Sequence, residues 1–309
     1  MRLTLATMFL ATALPALAQP PQPEAGPQPV MRRVQRAEIP PVTVEGDCAA
    51  VPMELRANLP TVEVMIGDRG PYRFAIDTGA QGHGRISAAL ARTLGLPTVG
   101  EARTPAPGGT FATRPIFGVA ELRLGGLRFR DLQMLAGAEI RGATQGWDGI
   151  LGIDLFRELT LGIDYANNMA GARRGSLNRG AAGDFTGPTP LVPIQINRQS
   201  FNVALDTGNG ASPLFLTEAA ARALPQSGPA VERGRARTSF GEFAIMEAPV
   251  AIPVTLGGTA LSVTTIGWPA IRGDGNLGSR GLAGTLLEVD RRSGRIAASR
   301  PATPLACPG

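Results

Sequence analysis

The chain has 309 residues and a formal charge of +5 at pH 7, and its 30 basic residues are all arginine. These arginines are scattered and few aromatic residues interleave with them, which excludes the concentrated basic stripe of a nucleic-acid binder. One histidine, His83, and two cysteines exclude a metal centre built on His or Cys clusters.

In chain order, Arg2, the apolar stretch from Leu3 to Leu17 and the Ala16-Leu17-Ala18 site before Gln19 read as a signal peptide over 1–18. Its apolar run is too short to remain as a membrane span, and no later segment approaches about 18 uninterrupted apolar residues. The expectation is a periplasmic or secreted protein with no stable membrane insertion after cleavage. Residues 19–47, rich in Pro and Gln, read as an extended tether. Cys48 and Cys307 make an even pair in an exported chain, so a disulfide that clips both ends of the folded body is expected over two free thiols.

The body is written twice. Val62–Ile66 alternates, a Gly-Pro turn follows, and the run Phe74-Ala75-Ile76 closes on Asp77-Thr78-Gly79. A helix is predicted from Ser87 to Leu94, with Ser87 as N-cap and Gly95 as stop. Then come Gly109-Thr110-Phe111-Ala112, Leu122-Arg123-Leu124-Gly125-Gly126, Asp148-Gly149-Ile150-Leu151-Gly152 and Ile163-Asp164. Asn167 to Pro190, poor in apolar residues, bridges the halves, with the linker at 171–190. The second half repeats the series at a nearly constant offset. Val203-Ala204-Leu205 closes on Asp206-Thr207-Gly208, and a helix is predicted from Thr217 to Leu224 before Pro225. Gly241-Glu242-Phe243-Ala244, Val254-Thr255-Leu256-Gly257-Gly258, Asp274-Gly275-Asn276-Leu277-Gly278 and Val289-Asp290 complete it. Short alternating runs dominate each copy, so the chain is all-β with one short helix per lobe, the lobes being 48–170 and 191–309.

An apolar strand closing on Asp-Thr-Gly, then an Asp-Gly-x-Leu-Gly turn, both duplicated in one exported chain, resembles the aspartic protease superfamily. It is most similar to the bacterial retropepsin-like members that carry both halves in one polypeptide. The resemblance implies a bilobal pepsin/retropepsin-like fold, two β-barrel lobes related by a pseudo-two-fold axis. It also implies a monomer without cofactor or metal and an extended peptide or protein substrate between the lobes. Asp77 and Asp206 would be the catalytic pair, because two carboxylates about 3 Å apart share one proton and supply an acid and a base together. Thr78 and Thr207 would hydrogen-bond across to the opposite loop, and Gly79 and Gly208 would let the loops approach. Ile150, Leu151 and Gly152 would sit beneath the first turn, and Asn276, Leu277 and Gly278 beneath the second. Gly109 and Phe111, with Gly241 and Phe243, would lie in flap hairpins.

Three departures stand out. Ala80 follows the retropepsin habit and brings no hydroxyl, which favours a working pH above the acid optimum usual for such a pair. Asn209 fits neither branch, and its amide is a donor available to an outer carboxylate oxygen. Asn276 replaces an expected apolar residue, and neither tyrosine, Tyr72 or Tyr165, lies in a flap.

The remaining polar residues have plainer readings. Asp148 and Asp274 cap turns; Asp154, Asp164 and Asp290 are surface or strand-end residues; His83, between Gly82 and Gly84, is a solvated loop position. Trp147 and Trp268 are core or cleft wall. The functional expectation is an exported aspartic endopeptidase, and the alternative is a catalytically inactive retropepsin-like peptide-binding module in the periplasm.

Overall fold

The apolar triplets before the two Asp-Thr-Gly turns are strands covered on both faces. Phe74-Ala75-Ile76 ends the strand Arg69–Asp77 and Val203-Ala204-Leu205 ends Gln199–Asp206, and none of these six residues is more than 1% exposed. Continuous burial replaces alternation because neither face meets water. Each strand forms an antiparallel hairpin with the one before it, Leu59–Ile66 or Leu191–Ile196. Its other edge receives a parallel strand from the end of the same repeat, Gly149–Gly152 or Gly275–Gly278. That strand pairs antiparallel with Gly84–Ser87 or Leu214–Leu216, the segment just beyond the Asp-Thr-Gly turn. The insertion is tight. A Cβ on Gly152 would strike the carbonyl of Gly82, and one on Gly278 the carbonyls of Asn209 and Ser212, which explains the glycine after x-Leu.

The computed structural model describes residues 39–106, 110–137, 146–187, 189–238, 241–270 and 273–308; the expected signal peptide, most of the tether and Gly109 lie outside them. The predicted helices are present. Helix α1 (Ala88–Leu94) is capped by the Ser87 hydroxyl accepting from the Leu90 N–H and ends at Gly95 in the left-handed region. Helix α2 (Glu218–Ala223) is capped by Thr217 accepting from the Ala220 N–H. No helix among the described residues is long and apolar enough to cross a membrane.

The described strands form a 14-stranded and a 9-stranded sheet. The halves meet in the larger one, where Thr160–Asp164 pairs antiparallel with its own repeat, Leu286–Asp290, with Gly162 opposite Glu288. Met169–Arg173 and Cys48–Arg56 extend this junction on one side, Arg295–Ser299 and Ala181–Ala182 on the other. Residues 171–190 therefore begin inside a strand and contribute a second one, so the chain passes between halves partly as sheet.

Asp164 and Asp290 do end strands, but they are not surface residues: both are fully buried. Asp164 accepts from the backbone N–H groups of Ala166, Asn167 and Leu305 and from the Asn167 amide. Asp290 accepts from the N–H groups of Leu177 and Arg292. Burial is tolerated because the oxygens are satisfied. Cys48 and Cys307 are disulfide-bonded with Cα atoms 5.7 Å apart, and with Leu305 held on Asp164 the C-terminal segment is fastened across the junction strands.

Replacing both cysteines by alanine should lower stability by about 2–5 kcal/mol, because the bridge closes a very long loop. A urea titration measures this as a lower midpoint; an unchanged midpoint would show that the clip contributes nothing.

Candidate active site

Both Asp-Thr-Gly turns close in the same way: the Ala80 N–H donates to the Asp77 carbonyl at 3.1 Å and the Asn209 N–H to that of Asp206 at 3.0 Å. The threonines then cross-link the turns. The Thr78 hydroxyl donates to the Leu205 carbonyl and that of Thr207 to the Ile76 carbonyl, both at 2.7 Å. Each hydroxyl also accepts the other threonine's N–H, at 3.0 and 3.1 Å. Neither threonine is exposed to solvent. Gly79 lies against the Asp206 carboxyl and Gly208 against that of Asp77, so closely that a Cβ on either would overlap it. Both carboxyls line one cleft, each packed against the glycine of the opposite turn.

Their environments differ. Burial pushes Asp77 up to about 7, and the charge of Asp206 adds to the rise. The Gly79 N–H, 2.8 Å from Oδ1, and the nearby Arg85 oppose it. Asp206 instead ends a chain of amides. The Ala211 N–H donates to Asn209 Oδ1 at 3.0 Å, Asn209 Nδ2 to Asn276 Oδ1 at 2.8 Å, and Asn276 Nδ2 to Asp206 Oδ2 at 2.8 Å. The Ala211 N–H can only donate, so it fixes the orientation of both amides. The expectation that Asn209 itself reaches the carboxylate is corrected: Asn276 makes that bond and Asn209 holds Asn276. In the first half the matching positions are Ala80 and Ile150, which carry no side-chain donor.

Gly152 pairs with Asp77 and Gly278 with Asp206, and Leu151 and Leu277 are fully buried. Asp148 and Asp274, read as turn caps, instead accept from N–H groups of distant strand residues, Arg73 and Asn202, at 2.9 Å. Two long hairpins, Thr98–Ala106 with Thr110–Leu124 and Val231–Thr238 with Gly241–Pro249, carry the flap positions. Phe111 is 55% exposed, with the Arg103 guanidinium 5.1 Å from its ring centre. Gly241 opens its strand, while the Phe243 side chain lies outside the described residues.

Two readings are overturned. His83 is buried, its Nδ1 accepting the Gln133 N–H and its Nε2 donating to the Pro40 carbonyl, each at 2.9 Å. Asp154 is buried as well, accepting the Gly82 N–H at 2.7 Å and pairing with Arg157 and Arg291. The Trp147 indole donates to Thr61, and Trp268 is core.

A cleft of about 430 Å³ opens over the pair, and Arg85, Phe215, Ile245 and Pro269 line it along with both carboxyls. These four were not singled out in the sequence. Aligning the two helix N-caps, Ser87 and Thr217, would have set Arg85 against Phe215.

Residues 62–155 match a protein-family model described as aspartyl protease. That match covers the first of the two Asp-Thr-Gly turns and supports a relation to the aspartic protease superfamily. Among solved structures the chain is similar to basic 7S globulin from soybean, at 12% identity and a TM-score of 0.47, covering 82% of this chain and 95% of that one. No curated protein matches it.

Asp77 has a consequence for stability. An unfolded Asp releases its proton near 3.8, whereas folded Asp77 keeps it to about 7. Between those values the folded chain binds more protons, so stability falls as pH rises through the window. Asp77→Asn should therefore melt several degrees higher than the parent at pH 8, with the gap closing as pH is lowered to 3.5. Paired thermal melts test this; a gap independent of pH would remove burial as the cause.

Proposed function

We propose that this chain is an exported aspartic endopeptidase that hydrolyses a peptide bond held extended between the lobes. The observation that carries this reading is the reciprocal threonine cross-link, which holds two carboxyls from different halves against each other under an open cleft. The expected signal peptide and the Cys48–Cys307 bond support export.

In the proposed reaction Asp206 is the ionised member, because the Asn276 N–H is aimed at its oxygen, and Asp77 carries the shared proton. Asp206 takes a proton from a water whose oxygen attacks the scissile carbonyl carbon, while Asp77 gives its proton to the carbonyl oxygen. The resulting gem-diol collapses as Asp206 protonates the leaving nitrogen and the C–N bond breaks. A diol hydroxyl returns its proton to Asp77. The pair ends with the single proton it began with, and the strand Gly241–Pro249, whose Ile245 lines the cleft, would limit water during these steps.

Digestion of a mixed peptide library between about pH 3 and 8, read by mass spectrometry, is the direct test. Cleavage should fall about 10²–10⁴-fold in Asp77→Asn and in Asp206→Asn, and a statine-type mimic should inhibit the parent. Peptide affinity without turnover in the parent would reduce the protein to a binding module. Loss of the Asp77 proton should set the alkaline limb of the rate profile near pH 7.

Asn276→Leu should lower kcat about tenfold with little change in KM, since it removes a hydrogen bond to a charge and keeps the volume. Steady-state kinetics decide it, and an unaltered kcat would strip the amide chain of its role.

A further inference from the structure

The cleft is lined unequally by two residues that occupy the same place in the repeat. Arg85 sits in the strand Gly84–Ser87 opposite Ile150, and Phe215 sits in Leu214–Leu216 opposite Asn276. Both face the cleft that holds the two carboxyls. The half-buried Phe215 gives its end an apolar wall. The opposite end carries an exposed guanidinium.

Several arginines among the described residues pair with carboxylates: Arg56 with Glu54, Arg130 with Glu45, Arg173 with Glu288, Arg222 with Glu218. The Arg85 side chain makes no ion pair or hydrogen bond among the described residues. The acid that feels its field is Asp77, at the reacting centre. A fork of N–H donors facing a cleft, with no protein carboxylate to fill it, is a receptor for a carboxylate brought by the substrate.

We propose that Arg85 selects an acidic side chain in the substrate and that Phe215 selects a large apolar one. The two would lie on opposite sides of the cut bond. The geometry behind this is the pseudo-two-fold axis between Asp77 and Asp206. An extended peptide laid across it meets equivalent strand positions on either side of the scissile bond, and one of these is cationic while the other is aromatic. The inference rests on the reading of the cleft as a peptide site. It adds a substrate class: peptides with Asp or Glu on one side of the cut and Phe, Leu or a similar residue on the other.

Two sets of peptides test it, identical except for Glu, Gln or Lys at each position flanking an apolar residue. In the parent, the Glu peptide should exceed its Gln twin about tenfold in kcat/KM at one position. In Arg85→Gln that ratio should fall close to one, and in Arg85→Glu the Lys peptide should overtake the Glu peptide. Each ratio is internal to one protein, so a general loss of activity does not mimic it. The same peptides, titrated by fluorescence anisotropy against Asp206→Asn and against Asp206→Asn/Arg85→Gln, give the ratio in Kd without turnover. A Glu preference in Kd that needs Arg85, with no cleavage by the parent, would support the carboxylate site and sink the protease reading. Cleavage with equal Glu and Gln ratios in the parent and in Arg85→Gln would overturn the role of Arg85 and leave the protease reading standing.

Discussion

The structure depends on the crossed hydrogen bonds of Thr78 and Thr207. Each hydroxyl donates to a backbone carbonyl of the opposite half and accepts an opposite backbone N–H, so neither loop can slide without breaking buried bonds. Leaving such groups unpaired costs about 1–3 kcal/mol each, far more than a small change in carboxyl spacing could return. The Asp side chains are thus placed by main-chain geometry before any substrate arrives. A second junction, Thr160–Asp164 on Leu286–Asp290, joins the same two repeats through strand pairing. With the halves tied at two separate places on their symmetry axis, rotation of one lobe about the other is opposed by both.

Duplication inside one chain lets the scaffold stay symmetric while the site does not. The closing turns, cross-links and inserted glycines are the same in both halves. Three pairs that differ lie in or beside the strands next to the acids: Ala80 against Asn209, Ile150 against Asn276, Arg85 against Phe215. A site built from two identical subunits must place the same groups on both acids. Here an amide chain reaches Asp206 alone, while the Arg85 charge acts on Asp77. The proposed division into acid and base therefore follows from residues fixed in the fold.

Much of this was legible because the deciding residues are local. Apolar triplets before Asp-Thr-Gly, hydroxyl caps at Ser87 and Thr217, and a glycine after x-Leu each carry their structural reason within a few positions. What was misread depends on distant partners. His83 is flanked by glycines and looks like loop, yet Pro40 and Gln133 bury and satisfy it. Asp154 is neutralised partly by Arg291, and Asp164 by the N–H of Leu305. Met169–Arg173 falls in the stretch read as a bridge, but pairing with Cys48–Arg56 and Thr160–Asp164 makes it a strand. The Asn209–Asn276 bond was hidden for the same reason: the two amides are far apart in sequence, and only the inserted strand brings them together.

The buried His83 and Asp154 have a shared effect on the site. Because Nδ1 accepts from Gln133, the imidazole proton sits on Nε2 and is given to Pro40, a neutral tautomer that burial also favours by lowering the pKa. The ring thereby anchors residue 83, while Asp154 holds the next turn through the Gly82 N–H. The second half reaches the same end with the opposite charge: Arg280 donates to the Ala211 carbonyl at 2.9 Å, while the Ala211 N–H starts the amide chain to Asp206. Each post-glycine loop is thus braced from its own short 3₁₀ turn, one by an anion on an N–H and one by a cation on a carbonyl. Bracing of this kind keeps donors and acceptors aimed at the carboxyls without reorganisation, the condition under which fixed dipoles are most effective in a partly desolvated cleft.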